Sequence, residues 1–332
     1  MRLDSVRELK MALLDTNVAP LSDMKVSAMK LGIAARSTRA LTPTPRTVAL
    51  GVAPRGKDYR LAVRFQNRSL AEAELVETIR KRAHGEVDVR FVGRVVKRAP
   101  WYQSRQRPLA IGSSIGHFRI TAGTLGCFVE QRATKEPFIL SNNHVLADEN
   151  RGKPGDVVIQ PGDIDGGRKK QDEAGRLAAF VRLQKSKANL LDCAIASLRP
   201  GIEYVPGLLR GIGTLKGLGP EITDTGIRVR KVGRTTGVTS GRVTAFELDN
   251  VVVEYDFGNA RFDDQIEIES ASGSESFCLG GDSGSLIVDG SRRAVALLFA
   301  GSETGGKGNM GLTFANPIRA VLDALKVDLL IA

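Results

Sequence analysis

Cysteine is scarce in this sequence, which has only three in 332 residues: Cys127, Cys193 and Cys278. Three thiols cannot all pair with one another, and their spacing does not match that of metal ligands. The sequence therefore excludes a complete disulfide framework, and we expect no metal or other cofactor. Each cysteine lies in an apolar stretch, so we expect buried free thiols, which are typical of a reducing cytoplasm.

Long hydrophobic runs are also missing. No stretch approaches the roughly 18 consecutive apolar residues that a membrane-spanning helix requires. The first ten residues lack the long apolar core of a secretory signal peptide. Composition is otherwise ordinary, with 42% hydrophobic and 26% charged residues, and 332 residues are enough for two domains. We therefore expect a soluble cytoplasmic protein that does not bind membranes.

Acidic residues are scarce in the first third of the chain. Residues 1–110 contain 22 Lys and Arg against 10 Asp and Glu, a balance of +12, whereas the remainder contains 26 against 27. A basic region of this kind can attract an acidic protein partner. It lacks the interleaved aromatic residues of a single-strand-binding surface, so nucleic acid is the less favoured partner. A basic surface that is merely solvated is the alternative.

Three parts are predicted along the chain. Residues 1–45 begin with a short helix, opened by a capping-box sequence, and end in a proline-containing linker at 42–45. Residues 46–114 form a small module whose last part, 97–114, is a basic linker. Residues 115–332 form the largest part and contain the segments that resemble a catalytic site.

The module at 46–114 combines strand and helix periodicity. Tyr59, Leu61, Val63 and Phe65 alternate with more polar residues, as expected of a half-buried strand. The predicted elements are strands at 47–52, 59–65 and 87–92 and a helix at 70–83. This β-β-α-β pattern predicts a small α+β module with a helix on one face of a sheet.

From Gly116 onward, short predicted strands alternate with glycine-rich turns, the pattern of an all-β domain. Residues 152–176 combine glycines with many charges and predict a long surface loop. The remaining predicted elements are two strands across a tight turn at 232–243, strands at 251–255 and 265–268, and a closing helix at 316–325.

The segment Gly281-Asp282-Ser283-Gly284 has the composition of a turn that carries a nucleophilic serine. A serine hydroxyl is a weak nucleophile that needs a base, and the carbonyl that it attacks becomes an oxyanion that needs donors. Glycine at 281 permits a sharp turn that points the N–H groups of Gly281 and Ser283 into one oxyanion hole. A glycine-rich turn without catalysis is the alternative.

The base would be one of three histidines, His84, His117 and His144. His84 lies near the end of a basic, helix-like run and His117 precedes an apolar segment, so structural or surface roles suit both. His144 follows an apolar strand and a small polar turn, which is typical of a general base on a strand-end loop.

The third member of such a site is a carboxylate that orients the imidazole. Asp192 lies among apolar residues, where a carboxylate is costly unless it is paired. A surface position on a β-bulge is the alternative for Asp192. Four other aspartates are rivals, but each has a polar or loop-like setting: Asp148, Asp156, Asp163 and Asp165. The sequence therefore predicts a triad in the order His144, Asp192, Ser283.

Together these motifs resemble those of the trypsin-like serine proteases of chymotrypsin fold. The resemblance is to an intracellular bacterial branch that also resembles the plant narrow-leaf trypsin-like proteins. It covers roughly residues 115–325 and rests on six segments: 121–127, 141–146, 191–196, 233–237, 280–285 and 298–301. It implies a mainly β fold in which two six-stranded β-barrels hold the triad in the cleft between them.

The resemblance also implies a serine endopeptidase that cleaves a protein or peptide substrate through an acyl-enzyme intermediate. Phe277 and Gly301 occupy the positions that line the family's pocket for the substrate side chain. Because Phe277 is not an acid, we expect a small or apolar residue before the cleaved bond. Some relatives occur beside bacterial defence genes, which favours one dedicated protein substrate. A catalytically silent protease fold, kept for binding or regulation, is the alternative.

Overall fold

The chain divides into two compact units, Met1–Arg98 and Ala99–Ala332. The computed structural model describes residues 1–17, 48–66, 70–93 and 99–331. The division lies upstream of the expected boundary after residue 114, because residues 99–114 belong to the second unit. The predicted linker at 42–45 lies outside the described residues, as do the first two residues of the predicted basic linker.

The described residues of the first unit form a three-stranded sheet and two helices. In chain order the elements are α1 (Leu3–Asn17), β1 (Val48–Arg55), β2 (Asp58–Phe65), α2 (Leu70–Arg82) and β3 (Val87–Phe91). β1 and β2 are antiparallel neighbours, and Gly56 in the turn between them has a φ of 61°. β2 and β3 are parallel because α2 returns the chain along the sheet. The small N-terminal α+β module is therefore confirmed.

In the described part of the first unit, the core lies between one face of the sheet and the helices α1 and α2. Alternation along β2 directs Leu61 and Val63 to this face, where both are fully buried. Leu13 of α1 and Ile79 of α2 are fully buried in the same cluster. α1 therefore shares a core with the sheet instead of forming a separate N-terminal segment.

An eight-stranded sheet occupies the first part of the second unit. Its strands are β5 (Ser114–His117), β6 (Gly123–Thr124), β7 (Cys127–Gln131), β8 (Pro137–Ser141), β9 (Val157–Ile159), β10 (Glu173–Phe180), β11 (Ala194–Leu198) and β23 (Val327–Leu329). The strand order is β23-β7-β8-β11-β10-β9-β5-β6. β8 and β11 are central antiparallel neighbours, and their ends position two of the candidate catalytic residues.

A closed six-stranded barrel forms the other large part of this unit. Its strands are β15 (Arg228–Gly233), β16 (Gly237–Leu248), β19 (Gln265–Ser270), β20 (Leu286–Asp289), β21 (Ala294–Gly301) and β22 (Leu312–Pro317). Their order around the barrel is β15-β16-β19-β22-β21-β20. Bulges interrupt the pairing of the long strand β16 with β19, which bends the sheet as closure requires.

Shorter elements connect these two sheets. The strands are β4 (Leu109–Ala110), β12 (Tyr204–Val205), β13 (Leu208–Leu209), β14 (Gly213–Thr214), β17 (Val251–Tyr255) and β18 (Gly258–Phe262). The helices are α3 (Asn143–Leu146) and α4 (Ile318–Leu325), with 3-10 turns at Trp101–Gln103, Asp163–Asp165 and Lys307–Asn309. β17 and β18 form an antiparallel hairpin between β16 and β19.

The mainly β fold predicted for the second unit is confirmed, but two predicted loops are wrong. Leu109 and Ile111 are fully buried in the core of the eight-stranded sheet, so residues 99–114 are not a linker. Residues 152–176 contain β9 and the start of β10, because Val157, Val158 and Ile159 are an apolar strand within the charged surroundings. In both places short buried segments are hidden among polar neighbours.

Candidate active site

His144 lies in the single turn of α3, directly after the buried strand β8. Asn142 has extended backbone angles (φ −81°, ψ 160°), which turn the chain from the strand into the helix. The side chain of His144 is 22% exposed, so one edge of the ring remains accessible. The structure therefore places His144 at a strand end, as predicted.

Asp192 is fully buried and accepts four hydrogen bonds, as a buried carboxylate requires. Its Oδ2 accepts from His144 Nδ1 at 2.6 Å and from the Tyr255 hydroxyl at 2.8 Å. Its Oδ1 accepts from the backbone N–H groups of Asn143, at 2.7 Å, and of His144, at 3.3 Å. Asp192 precedes β11, and pairing of Ala194 with Ser141 brings its carboxylate beside α3.

The imidazole of His144 has a raised proton affinity. Burial alone would lower the pKa of His144, because the imidazolium loses hydration. The Asp192 carboxylate outweighs burial through its charge and its hydrogen bond, and Glu149 contributes a further negative charge, so the pKa lies above its ordinary value. This tuning favours a group that must accept a proton during a reaction.

Ser283 lies in a turn before β20 that requires glycine. Gly281 and Gly284 have φ values of 94° and 92°, in the left-handed region that other residues rarely adopt. The N–H of Asp282 donates to the carbonyl of Leu279 at 3.0 Å, which closes the turn. The positive φ at Gly281 is the sharp turn that the sequence predicted.

The Ser283 turn packs closely against the strands that lead to His144. The N–H of Thr124 donates to the carbonyl of Ser283 at 2.8 Å, and the Thr124 hydroxyl donates to the carbonyl of Gly281 at 2.9 Å. A Cβ on Gly284 would lie 2.0 Å from the Ser141 Oγ, so only glycine permits this approach. The turn and the end of β8 are therefore held in direct contact.

The Ser283 hydroxyl donates a long hydrogen bond to the carbonyl of Phe299, with an oxygen–oxygen distance of 3.4 Å. Among the described residues, it makes no hydrogen bond to His144. Contacts of this kind are often long in unliganded sites and tighten when substrate binds. Proton transfer to His144 would require the hydroxyl to rotate away from Phe299.

Two backbone donors beside Ser283 are left unused. Within the residues that the structure describes, the N–H groups of Gly281 and Ser283 have no hydrogen-bond acceptor. Both residues are partly exposed, and a pair of free N–H groups next to a hydroxyl suits an oxyanion. The geometry of the turn thus brings together the two residues predicted for an oxyanion hole.

A cavity of about 330 Å³ adjoins Ser283. Its lining includes the small or apolar residues Cys278, Leu298, Ala300 and Gly301, and the exposed Glu303 also lines it. Thr313 donates to the Cys278 Sγ at 2.9 Å. Burial raises the pKa of Cys278 to about 11, so the thiol is neutral near pH 7.

Phe277 does not line this cavity, which corrects the expectation for the substrate pocket. Its side chain is 1% exposed and packs inside the closed barrel with Val243 and Ile268. Successive side chains in an extended segment face opposite sides, so Cys278 faces the cavity instead. Gly301 does line the cavity, and a Cβ there would lie 2.8 Å from the Cys278 Sγ.

The rival residues have structural contacts elsewhere. His84 has a left-handed φ of 48° just after α2, and the buried His117 ring lies 3.2 Å from Asp156. Asp148 pairs with Arg151, at 2.7 Å, whereas Asp163 is an exposed residue of a 3-10 turn. Asp165 forms a bidentate ion pair with Arg234, whose Nε and Nη2 donate to the two carboxylate oxygens at 2.7 Å and 2.6 Å.

Two polar residues of this site were missed by the sequence analysis. Lys231 is fully buried beside Asp282, and its position two residues after the buried Val229 in β15 was a usable signal. Tyr255 reaches Asp192 from a hairpin 63 residues away along the chain. No local pattern marks such a long-range contact.

The described residues contain no group of three or more His, Cys, Asp or Glu side chains that could hold a metal ion. None of the helices in the described part of the chain has the length and apolar character needed to cross a membrane. Cys127, Cys193 and Cys278 are free thiols, and Cys278 is the least buried of them.

No model of a protein family matches this sequence, and no curated protein matches it either. Several solved structures are similar to it. Chymotrypsin from Cellulomonas bogoriensis is 20% identical, with a TM-score of 0.45, and the match covers 67% of this chain and 98% of that one. Thermobifida fusca protease A is 21% identical, with a TM-score of 0.47, over 68% of this chain and all of that one. A Nocardiopsis protease is 19% identical, with a TM-score of 0.45, and the match covers 66% of this chain and 97% of that one.

Proposed function

We propose that this chain is a trypsin-like serine endopeptidase that hydrolyses peptide bonds in a protein substrate. The observation that carries the proposal is the 2.6 Å hydrogen bond between His144 Nδ1 and the buried Asp192, at the strand ends against which the Ser283 turn packs. A base oriented by a buried carboxylate is the requirement for activating a serine hydroxyl.

In the proposed reaction, His144 Nε2 accepts the proton of the Ser283 hydroxyl while Oγ bonds to the carbonyl carbon of the substrate. Asp192 stabilises the imidazolium, and the N–H groups of Gly281 and Ser283 stabilise the oxyanion. His144 then donates the same proton to the departing amine as the peptide bond breaks. Water hydrolyses the resulting acyl-Ser283 by the same route, which restores the free enzyme.

The cavity beside Ser283 is the proposed pocket for the substrate residue before the cleaved bond. Its apolar lining and neutral thiol favour a small or apolar side chain. Glu303 is exposed to solvent at this cavity, where a carboxylate is well hydrated and attracts a cation only weakly. We therefore retain the preference inferred from the sequence and replace Phe277 by Cys278 as a pocket residue.

The first unit is proposed to bind a protein partner that delivers or restrains the protease. Residues 1–98 contain 20 Lys and Arg against 10 Asp and Glu, whereas residues 99–332 contain 28 against 27. Such an imbalance favours an acidic partner through attraction that weakens with salt. The lack of interleaved aromatic residues makes nucleic acid the less favoured partner. The three free thiols support a cytoplasmic location, and one dedicated protein substrate in a bacterial regulatory or defence system is the proposed target.

A catalytically silent binding protein is the second candidate. The observation that favours it is the hydrogen bond of the Ser283 hydroxyl to Phe299 in place of one to His144. Against it, no residue of the proposed triad has been replaced, and the Gly281 and Ser283 N–H groups point to no other acceptor among the described residues.

Peptide turnover by purified variants tests the proposal. We expect Ser283→Ala and His144→Ala each to lower kcat by roughly 10⁴-fold or more, because the two groups act as a unit. Asp192→Asn should retain a small residual rate. His84→Asn is the control, since His84 is exposed, lies in the other unit and has the left-handed backbone that asparagine tolerates. Wild-type turnover by Ser283→Ala would refute the proposal.

A further inference from the structure

The hairpin of β17 and β18 brings Tyr255 into the Asp192–His144 pair. The Tyr255 hydroxyl donates to Asp192 Oδ2 at 2.8 Å, and this is the same oxygen that accepts from His144 Nδ1 at 2.6 Å. The Tyr255 side chain is buried, and its ring lies edge-on to the imidazole with centroids 6.0 Å apart. Tyrosine and histidine thus share one carboxylate oxygen.

Aromatic packing fixes the position of Tyr255 independently of Asp192. Phe257 stacks on the Tyr255 ring at 5.3 Å with an interplanar angle of 8°. The ring centroid of the fully buried Phe262, on the partner strand, lies 6.1 Å from that of Tyr255 and 4.7 Å from that of Phe299. The packing of the hairpin therefore fixes the position of the Tyr255 ring, and this orients its hydroxyl toward the Asp192 carboxylate.

Polar contacts tie the hairpin turn to the segments around α3. Arg151 pairs with Asp256 at 2.8 Å, and Glu149 accepts from the backbone N–H of Asp256 at 2.9 Å. Lys185 donates to the carbonyl of Phe257 at 3.2 Å. Of the charged groups, Asp192 and Glu149 act on the Tyr255 hydroxyl through their negative charge, and the His144 ring lies edge-on to the tyrosine ring.

The tyrosine stays protonated throughout the pH range in which histidine titrates. Burial raises the pKa of Tyr255 well above its ordinary value, and the negative charge of Asp192 raises it further. The hydroxyl is therefore a permanent donor to the carboxylate. A hydrogen bond donated to an ionised group is stronger than one between neutral groups.

We propose that Tyr255 is a positioning residue that sets how strongly Asp192 holds and polarises His144. Its hydroxyl withdraws negative charge from the oxygen that His144 uses, which limits the proton affinity of the imidazole and fixes the rotation of the carboxylate. The kinetic part of this inference rests on the proposed protease function, whereas the effect on His144 titration does not.

Titration of His144 by NMR tests the inference without any substrate. The chain has only three histidines, so their ring signals can be assigned by substitution. We expect Tyr255→Phe to move the His144 pKa upward by about half a pH unit, because the carboxylate then attracts the imidazolium more strongly. Tyr204→Phe is the matched control: Tyr204 is half-buried in the same unit, and its hydroxyl has no hydrogen bond within the described residues. An unchanged His144 pKa in Tyr255→Phe would overturn the inference.

A second measurement covers the case in which Tyr255→Phe does not fold. The chain has only four tyrosines, and 3-fluorotyrosine can replace all of them without removing a contact. The fluorinated phenol is a stronger donor, so the His144 pKa should move downward, opposite to its shift in Tyr255→Phe. A merely structural role would not produce a downward shift, and its absence would count against the inference.

Kinetics then separate this inference from the proposed function. We expect Tyr255→Phe to lower kcat by roughly tenfold with little change in KM, since the pocket is untouched. If the wild type hydrolyses no peptide but the His144 pKa shifts as described, the protease function fails and the positioning role stands. If the wild type is active and Tyr255→Phe keeps its kcat and its pH profile, the positioning role fails alone.

Discussion

Lys231 Nζ lies 3.2 Å from the Asp282 Oδ2, and both side chains are fully buried. Asp282 directly precedes Ser283 and also accepts from the backbone N–H groups of Thr235, at 2.8 Å, and Leu279, at 3.0 Å. Lys231 in turn contacts the hydroxyl of Thr236. The ion pair therefore links β15 to the turn that carries the candidate nucleophile and its two N–H donors.

Removing the cation should damage both stability and the site. We expect Lys231→Met to lower the free energy of unfolding by about 3–5 kcal/mol, because Asp282 is left as an unpaired buried charge. Chemical denaturation measures the loss, and labelling of Ser283 by a serine-reactive probe should slow as well. Lys187→Met is the control, since Lys187 is exposed and has no ion pair within the described residues. Equal stability of the two variants would mean that the pair does not hold the turn.

Activity should depend on pH through His144. The raised pKa of His144 means that the imidazole becomes neutral, and able to accept a proton, only above its ordinary value near 6.5. We expect kcat/KM to rise with pH through a single ionisation with a midpoint above 6.5. A pH–rate profile on a neutral peptide measures this midpoint. A midpoint clearly below 6.5 would contradict the pairing of His144 with an ionised Asp192.

Filling the cavity beside Ser283 should block substrates. A Cβ at Gly301 would lie 2.8 Å from the Cys278 Sγ and 3.2 Å from the carbonyl of Leu312. We expect Gly301→Val to reduce kcat/KM for peptides with apolar residues before the cleaved bond by about 100-fold, mainly through KM. Gly290→Ala is the control, since nothing lies within 4 Å of the added carbon. Unchanged turnover would place the substrate pocket elsewhere.

The wild-type enzyme should prefer small or apolar residues at this position, which a profiling library of peptides measures. A clear preference for Lys or Arg would show that Glu303 reaches the substrate, since it is the acid that lines this cavity in the described part of the chain. Two other acids, Asp264 and Glu267, do not line this cavity. Asp264 lines a different cavity, and Glu267 accepts a hydrogen bond from the Thr244 hydroxyl at 2.7 Å.

The boundary between the units can be tested by truncation. We expect a fragment of residues 99–332 to fold, whereas 115–332 should be less stable because it lacks Leu109 and Ile111, each contributing roughly 1.5–3 kcal/mol by burial. Thermal unfolding compares the two fragments. Equal melting temperatures would restore the boundary expected from the sequence.

The same 99–332 fragment tests the role proposed for the first unit. If the first unit restrains the protease or binds the partner that delivers it, the fragment should differ from the full chain in turnover of peptide or of the natural protein substrate. Unchanged turnover of both would leave the first unit without a regulatory role.

Periodicity was enough to predict two elements of the first unit, β2 and α2. Alternating apolar residues around Leu61 predicted β2, and helical spacing predicted α2, because each element buries one face. Two six-stranded barrels were inferred from motif resemblance, since local patterns do not encode which strands pair. In the described part of the chain, the structure has one closed six-stranded barrel, and an eight-stranded sheet takes the place of the other. The buried segment at 99–114 was missed because Leu109 and Ile111 stand between arginines and glycines.

Local sequence also singled out the residues that the structure brings together at the site. His144 and Asp192 lie at the ends of β8 and β11, and strand pairing, which the sequence does not specify, brings them into contact. Phe277 was misplaced because position along the chain does not determine which of two successive side chains faces a cavity. Tyr255 could not be inferred, because its contact depends on the path of a whole hairpin.

Covalent labelling by a fluorophosphonate probe, followed by intact-mass and peptide analysis, tests the central claim most directly. The probe reacts with a serine that is activated by a base and beside an oxyanion hole. The account predicts one adduct per folded wild-type chain, on Ser283, and none with Ser283→Ala or after unfolding. It also predicts much slower labelling of His144→Ala. A folded wild-type chain that takes up no probe, or an adduct that persists in Ser283→Ala, would contradict the account and favour a catalytically silent protein.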